Sequence, residues 1–407
     1  MATTIPLMIS VDDHVIEPPH LWETWLPAKY RADGPRVIRA PREFNEVPRS
    51  GDHPSQGMYR IGASGPEADF WVYENLSVAT LPTLAAVGLS DERMTDTPVD
   101  YAEIRPGCFD PQARLADMDM NHVERSLCFP TFPRFCGQTF LEAKDKELAM
   151  ACVVAYNDWM VEEWCGDSGD RLIPLCLIPL WDVEAAAAEV VRNAERGVRA
   201  LTFSEMPDAL GLPAIYDLDA WAPLLRACED TGTVICMHVG SSSAPVMRPH
   251  RVASHALSHV TAEIALVDWF YSGALPRFPR LKLAFSESQV GWMTFALQRL
   301  DCTWRKQKDR TFSNFSSEIT EEPSSYAGDR VYACAFEDDY GIATRGGKLG
   351  IDNLTFETDY PHSDSTWPDT LAYVESAFAD YDDDELYKVM RGNAMRMLDI
   401  TADVPAR

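Results

Sequence analysis

Residues 9–18 read ISVDDHVIEP, an apolar run that ends in two aspartates and a histidine. On an extended strand, residues two apart project to the same side, so Asp12 and His14 point together while Asp13 points elsewhere. Such a strand end contributes little to an apolar core, but it places a carboxylate beside an imidazole, as a metal site requires. The stretch therefore predicts a first strand, over residues 7–12, that carries metal ligands at its carboxyl end.

Apolar runs of the same kind recur along the chain and alternate with amphipathic segments. The predicted strands cover residues 7–12, 124–130, 172–180, 198–204, 233–239, 281–287, 330–336 and 353–359. The predicted helices cover residues 112–121, 142–165, 183–196, 217–230, 256–272, 290–308, 369–379 and 383–398. Near-continuous apolar strands are typical of a parallel sheet with both faces covered. The pattern predicts an α/β fold, a TIM-type (β/α)8 barrel. A doubly wound open sheet is the alternative, although no G-x-G-x-x-G follows the first strand.

Residues 31–110 interrupt this alternation. They are rich in proline and glycine and include an aromatic run, DFWVYEN, at 69–75. An insertion after the first barrel strand lies on the face where barrel active sites form. We therefore expect a lid or pocket wall in which Trp71 and Tyr73 contact the substrate, with a packing or subunit-contact role as the alternative. The whole chain, 1–407, is treated as one barrel domain.

Composition excludes several classes of partner. The chain has 63 acidic and 36 basic residues and a net charge of −27, whereas nucleic-acid binding requires a basic face. No run of 18 apolar residues and no signal peptide are evident. The ten cysteines are scattered and form no C-x-x-C pair. This distribution favours reduced thiols over a disulfide framework or a zinc site. We expect a cytoplasmic protein with a small-molecule substrate and without nucleic-acid or membrane partners.

Several predicted strands end in side chains that bind metals. The carboxyl ends of barrel strands share one rim, and there the sequence places Asp12, His14, His238, Glu287 and Asp359. Each residue alone has common structural roles, such as a helix cap. Buried together, three carboxylates and two imidazoles would be costly without a cation. The rim therefore predicts one or two divalent ions per chain, and mixed nitrogen and oxygen ligands suit zinc, iron or manganese.

Four stretches together resemble the amidohydrolase superfamily, in the branch of aminocarboxymuconate-semialdehyde decarboxylase and related lactonases and hydratases. They are VDDHVIEPPHLW (11–22), VICMHVG (234–240), SGALPRFPRLKLAFSESQVGW (272–292) and FETDYPHSDSTWP (356–368). The resemblance implies a barrel with metal ligands from the first and fifth strands. It also implies an aspartate of the eighth strand that helps to activate a metal-bound water, and a homodimer.

The chain departs from this branch at two positions. Asp12 stands where the family has a histidine ligand, and a carboxylate there remains compatible with metal binding. Glu287 stands where the family has a strand-six histidine that acts as acid or base. Two hypotheses follow: Glu287 is a ligand that permits a second ion, or it is a general base beside one ion. An ionised Glu287 would repel the carboxylate of a decarboxylase substrate.

Further polar residues near the predicted rim complete the candidate site. Arg248 and Arg251, in RPHR, are candidates to clamp an anionic substrate group, with a solvated loop as the alternative. His255 is a further candidate for substrate binding, with a position on the surface or the pocket wall as the alternative. His362 and Asp364 are expected to orient metal ligands or to cap the next helix.

These residues predict a metal-dependent hydrolase. Asp359, with Glu287, would orient a metal-bound hydroxide for attack on the acyl carbon of an ester, thioester, lactone or amide. The substrate is expected to be a bulky, anionic small molecule. The alternative, by resemblance, is a nonoxidative decarboxylase or hydratase of an unsaturated or aromatic acid. A third hypothesis is a metal-stabilised barrel that binds a ligand without turnover.

Overall fold

The computed structural model of the protein describes residues 5–46, 56–310 and 315–401. The strands are β1 Met8–Val15, β2 Arg36–Phe44, β3 Tyr59–Ile61, β4 Glu67–Tyr73, β5 Leu76–Ala79, β6 Val123–Pro130, β7 Leu172–Ile173, β8 Leu175–Cys176, β9 Ala200–Phe203, β10 Val234–His238, β11 Leu283–Ser286, β12 Val331–Cys334 and β13 Leu354–Thr355. The α-helices are α1 Leu21–Trp25, α2 Pro111–Met120, α3 Gln138–Glu142, α4 Lys146–Trp159, α5 Val183–Ala194, α6 Leu218–Thr231, α7 Arg251–His255, α8 His259–Ser272, α9 Ala274–Arg277, α10 Met293–Gln307, α11 Asp339–Ala343, α12 Thr370–Ala377, α13 Asp383–Tyr387 and α14 Asn393–Met397.

Parallel strands form the predicted (β/α)8 barrel, which is confirmed. Strand β1 pairs with β6 and β6 with β7, while β8 to β13 form a second parallel run in chain order. The predicted strand 172–180 is shorter and is split at Pro174, which has no N–H to donate. Its first half, β7, pairs with β6 and its second half, β8, pairs with β9. The ring closes where Ser10 of β1 bridges Phe356, just after β13.

A β-bulge in β1 sets the orientation of the first motif. Ser10 pairs with Ser126 of β6 and Asp13 with Cys128, so β1 has one extra residue between these pairs. Val11 belongs to the core inside the barrel, and Asp12 contacts His238 across it. Strict alternation would place Ser10 on the side of Asp12. The bulge instead places Ser10 beside Asp13.

Asp13 fastens the neighbouring strands together. Its carboxylate accepts hydrogen bonds from the hydroxyls of Ser10 (2.9 Å), Ser126 and Thr358 (2.6 Å) and from the N–H of Tyr360 (3.1 Å). These donors belong to β1, to β6 and to the segment after β13. The expectation that Asp13 points away from Asp12 and His14 is confirmed, and the side chain joins the barrel at its closing seam.

Aspartates cap the first turns of several outer helices. Asp110, Asp145, Asp182 and Asp217 each accept a hydrogen bond from a first-turn N–H, of α2, α4, α5 and α6 respectively. Apolar faces of these helices and of α8 and α10 pack around the strands. All ten cysteines are free, and nine of them are buried. Within the described ranges, no helix is long and apolar enough to cross a membrane.

The segment 31–110 contains an antiparallel sheet rather than irregular chain alone. Its strand order is β3-β2-β4-β5, and residues 47–55 lie outside the described residues. Trp71 of β4 packs edge-on against Trp22 of α1, with ring centroids 5.2 Å apart, and stacks on Phe132 at 4.9 Å. The inserted sheet therefore contacts the segments that follow β1 and β6 at their carboxyl ends.

Candidate active site

Four buried side chains meet at the carboxyl ends of the barrel strands. The Nε2 atoms of His14 and His238 are 3.2 Å apart. His14 Nε2 lies 3.3 Å from Asp359 Oδ1 and 3.7 Å from Asp12 Oδ1, and His238 Nε2 lies 3.6 Å from Asp12 Oδ2. Ligand atoms bound to one ion at ~2.1 Å lie roughly 3.0–3.4 Å from one another. The four side chains thus have nearly the spacing of a single metal centre.

The polar atoms of this cluster fit a cation. His238 Nδ1 donates to the carbonyl of Val239 at 2.6 Å, which leaves Nε2 with a lone pair directed at the cluster. Within the described part of the chain, both carboxylate oxygens of Asp12 and the Oδ2 of Asp359 are buried without a hydrogen-bond donor, and Asp359 Oδ1 has only the ring nitrogens of His14 and His362 near it. Buried oxygens of this kind are costly unless a donor or an ion satisfies them. A divalent ion would satisfy these oxygens and accept both imidazole lone pairs.

Burial and mutual charge shift the pKa values in the cluster. Burial lowers the pKa of His238 to about 4 and that of His14 well below its ordinary value, so both imidazoles are neutral and able to ligate. Burial and the charges of Glu357 and Asp359 raise the pKa of Asp12 well above its ordinary value. Burial acts the same way on Asp359, but His362 and His14 outweigh it and hold its pKa well below its usual range.

Glu287 stands directly beside the cluster. Its Oε2 lies 3.0 Å from His238 Nε2, and its N–H donates to Glu357 Oε2 at 3.1 Å. Glu287 and Asp359 both have left-handed backbone conformations, with φ of 50° and 49°. Such strain outside glycine is concentrated at functional sites. Burial and the charges of Asp359 and Glu357 raise the pKa of Glu287 well above its ordinary value, and burial raises that of Glu357 to about 8.

Aromatic rings enclose the two histidines. Phe135 stacks on His238 with a centroid distance of 4.1 Å and an interplanar angle of 10°. His362 stacks on His14 at 3.7 Å, and its Nδ1 lies 3.0 Å from Asp359 Oδ1. His362 therefore contacts the aspartate directly, as the expectation of a ligand-orienting role requires. Its position also places it with His14 and Asp359 in a second group of potential ligands.

A cleft opens between the inserted sheet and the segments that follow β1 and β6. Its walls include Trp71, Leu76, Val78 and Phe132. Glu17 and Arg134 are its charged residues. The Glu17 carboxylate accepts hydrogen bonds from the N–H groups of Thr131 (3.0 Å) and Phe132 (2.8 Å), and burial raises its pKa to about 7. The cleft suits the apolar body of a small molecule.

The other predicted substrate-binding residues lie in different surroundings. Trp71 lines the cleft, but Tyr73 is buried against Phe140, with ring centroids 5.8 Å apart. Arg248 is exposed. His255 is exposed as well, and its Nε2 lies 3.4 Å from Asp364 Oδ2. The side chain of Arg251 lies outside the described residues. The roles assigned to these residues remain predictions.

Three charged residues of this region are not among those predicted from the sequence. Glu357 lies two positions before Asp359, Arg134 follows β6, and Glu205 follows β9. The buried Glu205 carboxylate accepts hydrogen bonds from the N–H of Gly240 (3.1 Å) and the hydroxyl of Thr261 (3.0 Å). Arg134 and Glu205 follow the second and fourth predicted strands, so barrel topology places them at the same rim as the predicted ligands.

Comparison with known proteins identifies the family. The amidohydrolase family model matches residues 68–400, so the chain belongs to the amidohydrolase family, and the resemblance seen in the sequence is confirmed. The protein is therefore an enzyme of the amidohydrolase superfamily, whose members are metal-dependent.

Individual relatives are more distant. The γ-resorcylate decarboxylase of Rhizobium sp. is 24% identical over 332 residues, which are 74% of this chain and 91% of the relative. An amidohydrolase structure from Mycobacterium avium subsp. paratuberculosis has a TM-score of 0.69 at 20% identity, covering 97% of this chain and 99% of that one. A dihydroxybenzoic acid decarboxylase from Polaromonas, with bound manganese and the inhibitor 2-nitroresorcinol, has a TM-score of 0.58 at 16% identity, covering 81% and 97%. These names favour the decarboxylase alternative over the hydrolase.

Proposed function

We propose that the protein is a divalent-metal-dependent, nonoxidative decarboxylase of an aromatic carboxylic acid. The observation that carries the proposal is the buried cluster of two carboxylates and two neutral imidazoles beside Glu287. The γ-resorcylate decarboxylase similarity over most of both chains supports the reaction type. The proposal reverses the order in which the sequence alone ranked hydrolysis and decarboxylation.

Asp12, His14, His238 and Asp359 would hold the ion. Two carboxylates balance the charge of one divalent cation, and the manganese bound by the Polaromonas decarboxylase supports an ion of that kind. When bound, the ion supplies a Lewis acid that orients and polarises oxygen atoms of the substrate. The cleft lined by Trp71 would take the apolar ring.

Glu287 would supply the proton that the reaction consumes. Decarboxylation of an aromatic acid breaks the bond from the ring to the carboxylate and forms a C–H bond at the same carbon, so an acid must deliver a proton there. The Glu287 carboxyl gives its proton to this carbon, the electron pair of the broken bond stays in the ring, and CO₂ leaves. Glu287 is then reprotonated from water. A protonated Glu287 does not repel the substrate carboxylate, which removes the objection that an ionised glutamate raises.

Product analysis in heavy water tests this proposal. The manganese-loaded protein is incubated with 2,6-dihydroxybenzoate and other ortho-hydroxylated benzoates, and CO₂ release and the decarboxylated ring are measured. We expect one deuterium at the vacated carbon, and at least ~100-fold slower release by Glu287→Gln. The exposed Asp219→Asn substitution serves as the control. If none of the acids in the panel releases CO₂, the proposal is contradicted.

Metal-dependent hydrolysis is a second candidate, favoured by one observation. The separation of 3.0 Å between Glu287 Oε2 and His238 Nε2 suits two ligands of one ion as well as an acid beside it. As a ligand, Glu287 would be ionised and would suit a hydrolytic centre with a second ion. Hydrolysis of aryl esters or thioesters by a protein that releases no CO₂ would establish this candidate.

A further inference from the structure

Strand β10 ends at His238 and continues into a turn, residues 239–242, that determines how this ligand is held. His238 Nδ1 donates to the carbonyl of Val239 at 2.6 Å, and this hydrogen bond decides which ring nitrogen faces the cluster. Gly240 has φ of +86°, and a Cβ there would lie 3.0 Å from the ring of Phe135, which stacks on His238. A shift of the turn would therefore disturb His238 through its hydrogen bond and through its stacking partner.

Glu205 holds this turn from the neighbouring strand. Strands β9 and β10 pair in parallel, and Glu205 and Gly240 each lie two positions beyond the end of their strand. The Gly240 N–H donates to Glu205 Oε2 at 3.1 Å, and the Glu205 N–H donates to the Ser241 hydroxyl oxygen at 2.9 Å. The two loops thus exchange hydrogen bonds in both directions beside the ligand.

The carboxyl group of Glu205 connects the turn to helix α8. Glu205 is 1% exposed, and burial raises its pKa to about 8, so it carries a proton near neutral pH. Its Oε1 lies 3.0 Å from the hydroxyl of Thr261 in α8. This hydroxyl can donate to the Ser258 carbonyl, also at 3.0 Å, which leaves its oxygen able to accept from a protonated carboxyl group. A glutamine amide can make the same set of hydrogen bonds.

We propose that Glu205 is a positioning residue for the metal centre: it holds the turn so that the Val239 carbonyl keeps His238 Nε2 directed at the ion. This inference rests on the metal centre of the proposed function and not on the reaction that takes place there. The effect of Glu205 reaches the ion through two hydrogen bonds, from Gly240 to Glu205 and from His238 to Val239. Outer groups that orient metal-binding histidines typically change metal affinity by about 10- to 100-fold.

Two substitutions of Glu205 test the inference without turnover. Glu205→Met removes the charge and the acceptor of the Gly240 N–H, whereas Glu205→Gln removes the charge and keeps the acceptor. By equilibrium dialysis, we expect Glu205→Met to bind manganese about tenfold more weakly, and Glu205→Gln to stay within about threefold of the wild type. The visible absorption spectrum of the cobalt(II)-loaded protein, which reports the geometry around the ion, should change in Glu205→Met alone. A glutamine variant as impaired as the methionine variant would implicate charge rather than hydrogen bonding and overturn the inference.

Glu189→Met is the matched control. Glu189 is also buried and accepts a hydrogen bond from Asn157 Nδ2 at 2.8 Å, but it belongs to the outer helix α5. This control should lower Tm and keep the manganese affinity and the cobalt spectrum; an equal loss of affinity there would attribute the effect to general destabilisation and overturn the inference. Should Glu205→Met fold poorly, Ser241→Ala removes the acceptor of the Glu205 N–H and should weaken manganese binding about threefold. Wild-type affinity and spectrum in the variant that folds would also overturn the inference.

Two results separate this inference from the proposed function. If Glu205→Met binds manganese more weakly but no acid of the panel releases CO₂, the positioning role stands and the decarboxylase proposal fails. If CO₂ is released and Glu205→Met keeps the wild-type affinity and cobalt spectrum, the decarboxylase proposal stands and the positioning role fails.

Discussion

Asp359 is the residue on which the cluster depends most, because its carboxylate contacts both His14 and His362. Asn in its place keeps the shape but removes the charge and one ligand oxygen. We expect Asp359→Asn to weaken manganese binding by ~100-fold or more, measured by equilibrium dialysis. Asp219→Asn, at an exposed ion pair with Arg277, is the control and should bind normally. Undiminished manganese binding by Asp359→Asn would remove this residue from the ligand set.

The role of the Glu287 carboxyl group distinguishes decarboxylation from hydrolysis. If it is the proton donor, elemental analysis should find about one ion per chain in both wild type and Glu287→Ala, while CO₂ release is lost. If it is a ligand, the wild type should hold more metal than the variant. The second result would favour the hydrolytic centre and count against protonation of the ring by this residue.

The ligand cluster and Glu287 were predictable from the sequence, whereas the contact of Glu357 was not. Asp12, His14, His238 and Asp359 each end an apolar strand, and barrel topology places such ends together. Glu357 gives no such signal. Its carboxylate accepts a hydrogen bond from the Glu287 N–H across the sheet, and this contact forms only when β11 and β13 lie on either side of β12. The hydrogen bond from Arg134 to Ser243 likewise depends on a loop 109 residues away.

At the scale of secondary-structure elements, the seam between β13 and β1 depends on Asp13. Alanine there would leave three buried hydroxyls and an N–H without their acceptor. We expect Asp13→Ala to lower the free energy of unfolding by about 3 kcal/mol in denaturant titration. Asp182→Ala, which removes one hydrogen bond at the start of α5, should cost about 1 kcal/mol. Equal costs would show that the seam has no special importance.

The elements themselves were predicted in order but not in length. The predicted strand 353–359 pairs regularly with β12 only over Leu354–Thr355. Its later residues hydrogen-bond to β1 instead, where the Val11 N–H donates to the Phe356 carbonyl and the Asp359 N–H donates to the Asp12 carbonyl. The predicted helix 142–165 begins at Lys146, where Asp145 caps it, and ends in a π-helical turn at Met160–Trp164. The inserted sheet escaped prediction because its strands pair with one another and follow no barrel period.

At the scale of the whole molecule, buried carboxyl groups make the metal-free protein sensitive to pH. Burial raises the pKa of Glu205 and Glu357 to about 8. In the folded chain these groups keep protons that the unfolded chain loses near 4.5, so the free energy of unfolding falls as pH rises toward 8. The lowered pKa of His238, about 4, acts oppositely but only below pH 6.5. Without metal, Tm should therefore fall between pH 6.5 and 8, by roughly 5 °C.

Metal and one substitution separate the sources of this pH effect. Manganese should raise Tm more at pH 8 than at pH 6.5, because an ion compensates carboxylates that have lost their protons. Glu205 hydrogen-bonds Gly240 and Thr261 rather than the cluster. Glu205→Gln should therefore flatten part of the pH dependence and leave the response to manganese intact. A Tm that is constant, or that rises, between pH 6.5 and 8 without metal would contradict this account.

The closing seam also has a consequence for synthesis. Two members of the ligand cluster, Asp12 and His14, leave the ribosome with the first strand, while Asp359 follows after nearly 350 further residues. A nascent chain that already includes His238 has most of the metal ligands, but it cannot close the barrel around them. The full cluster can therefore bind the ion only after translation has passed β13, the last strand of the barrel. A chain that terminates before this point would lack Asp359 and the complete metal site.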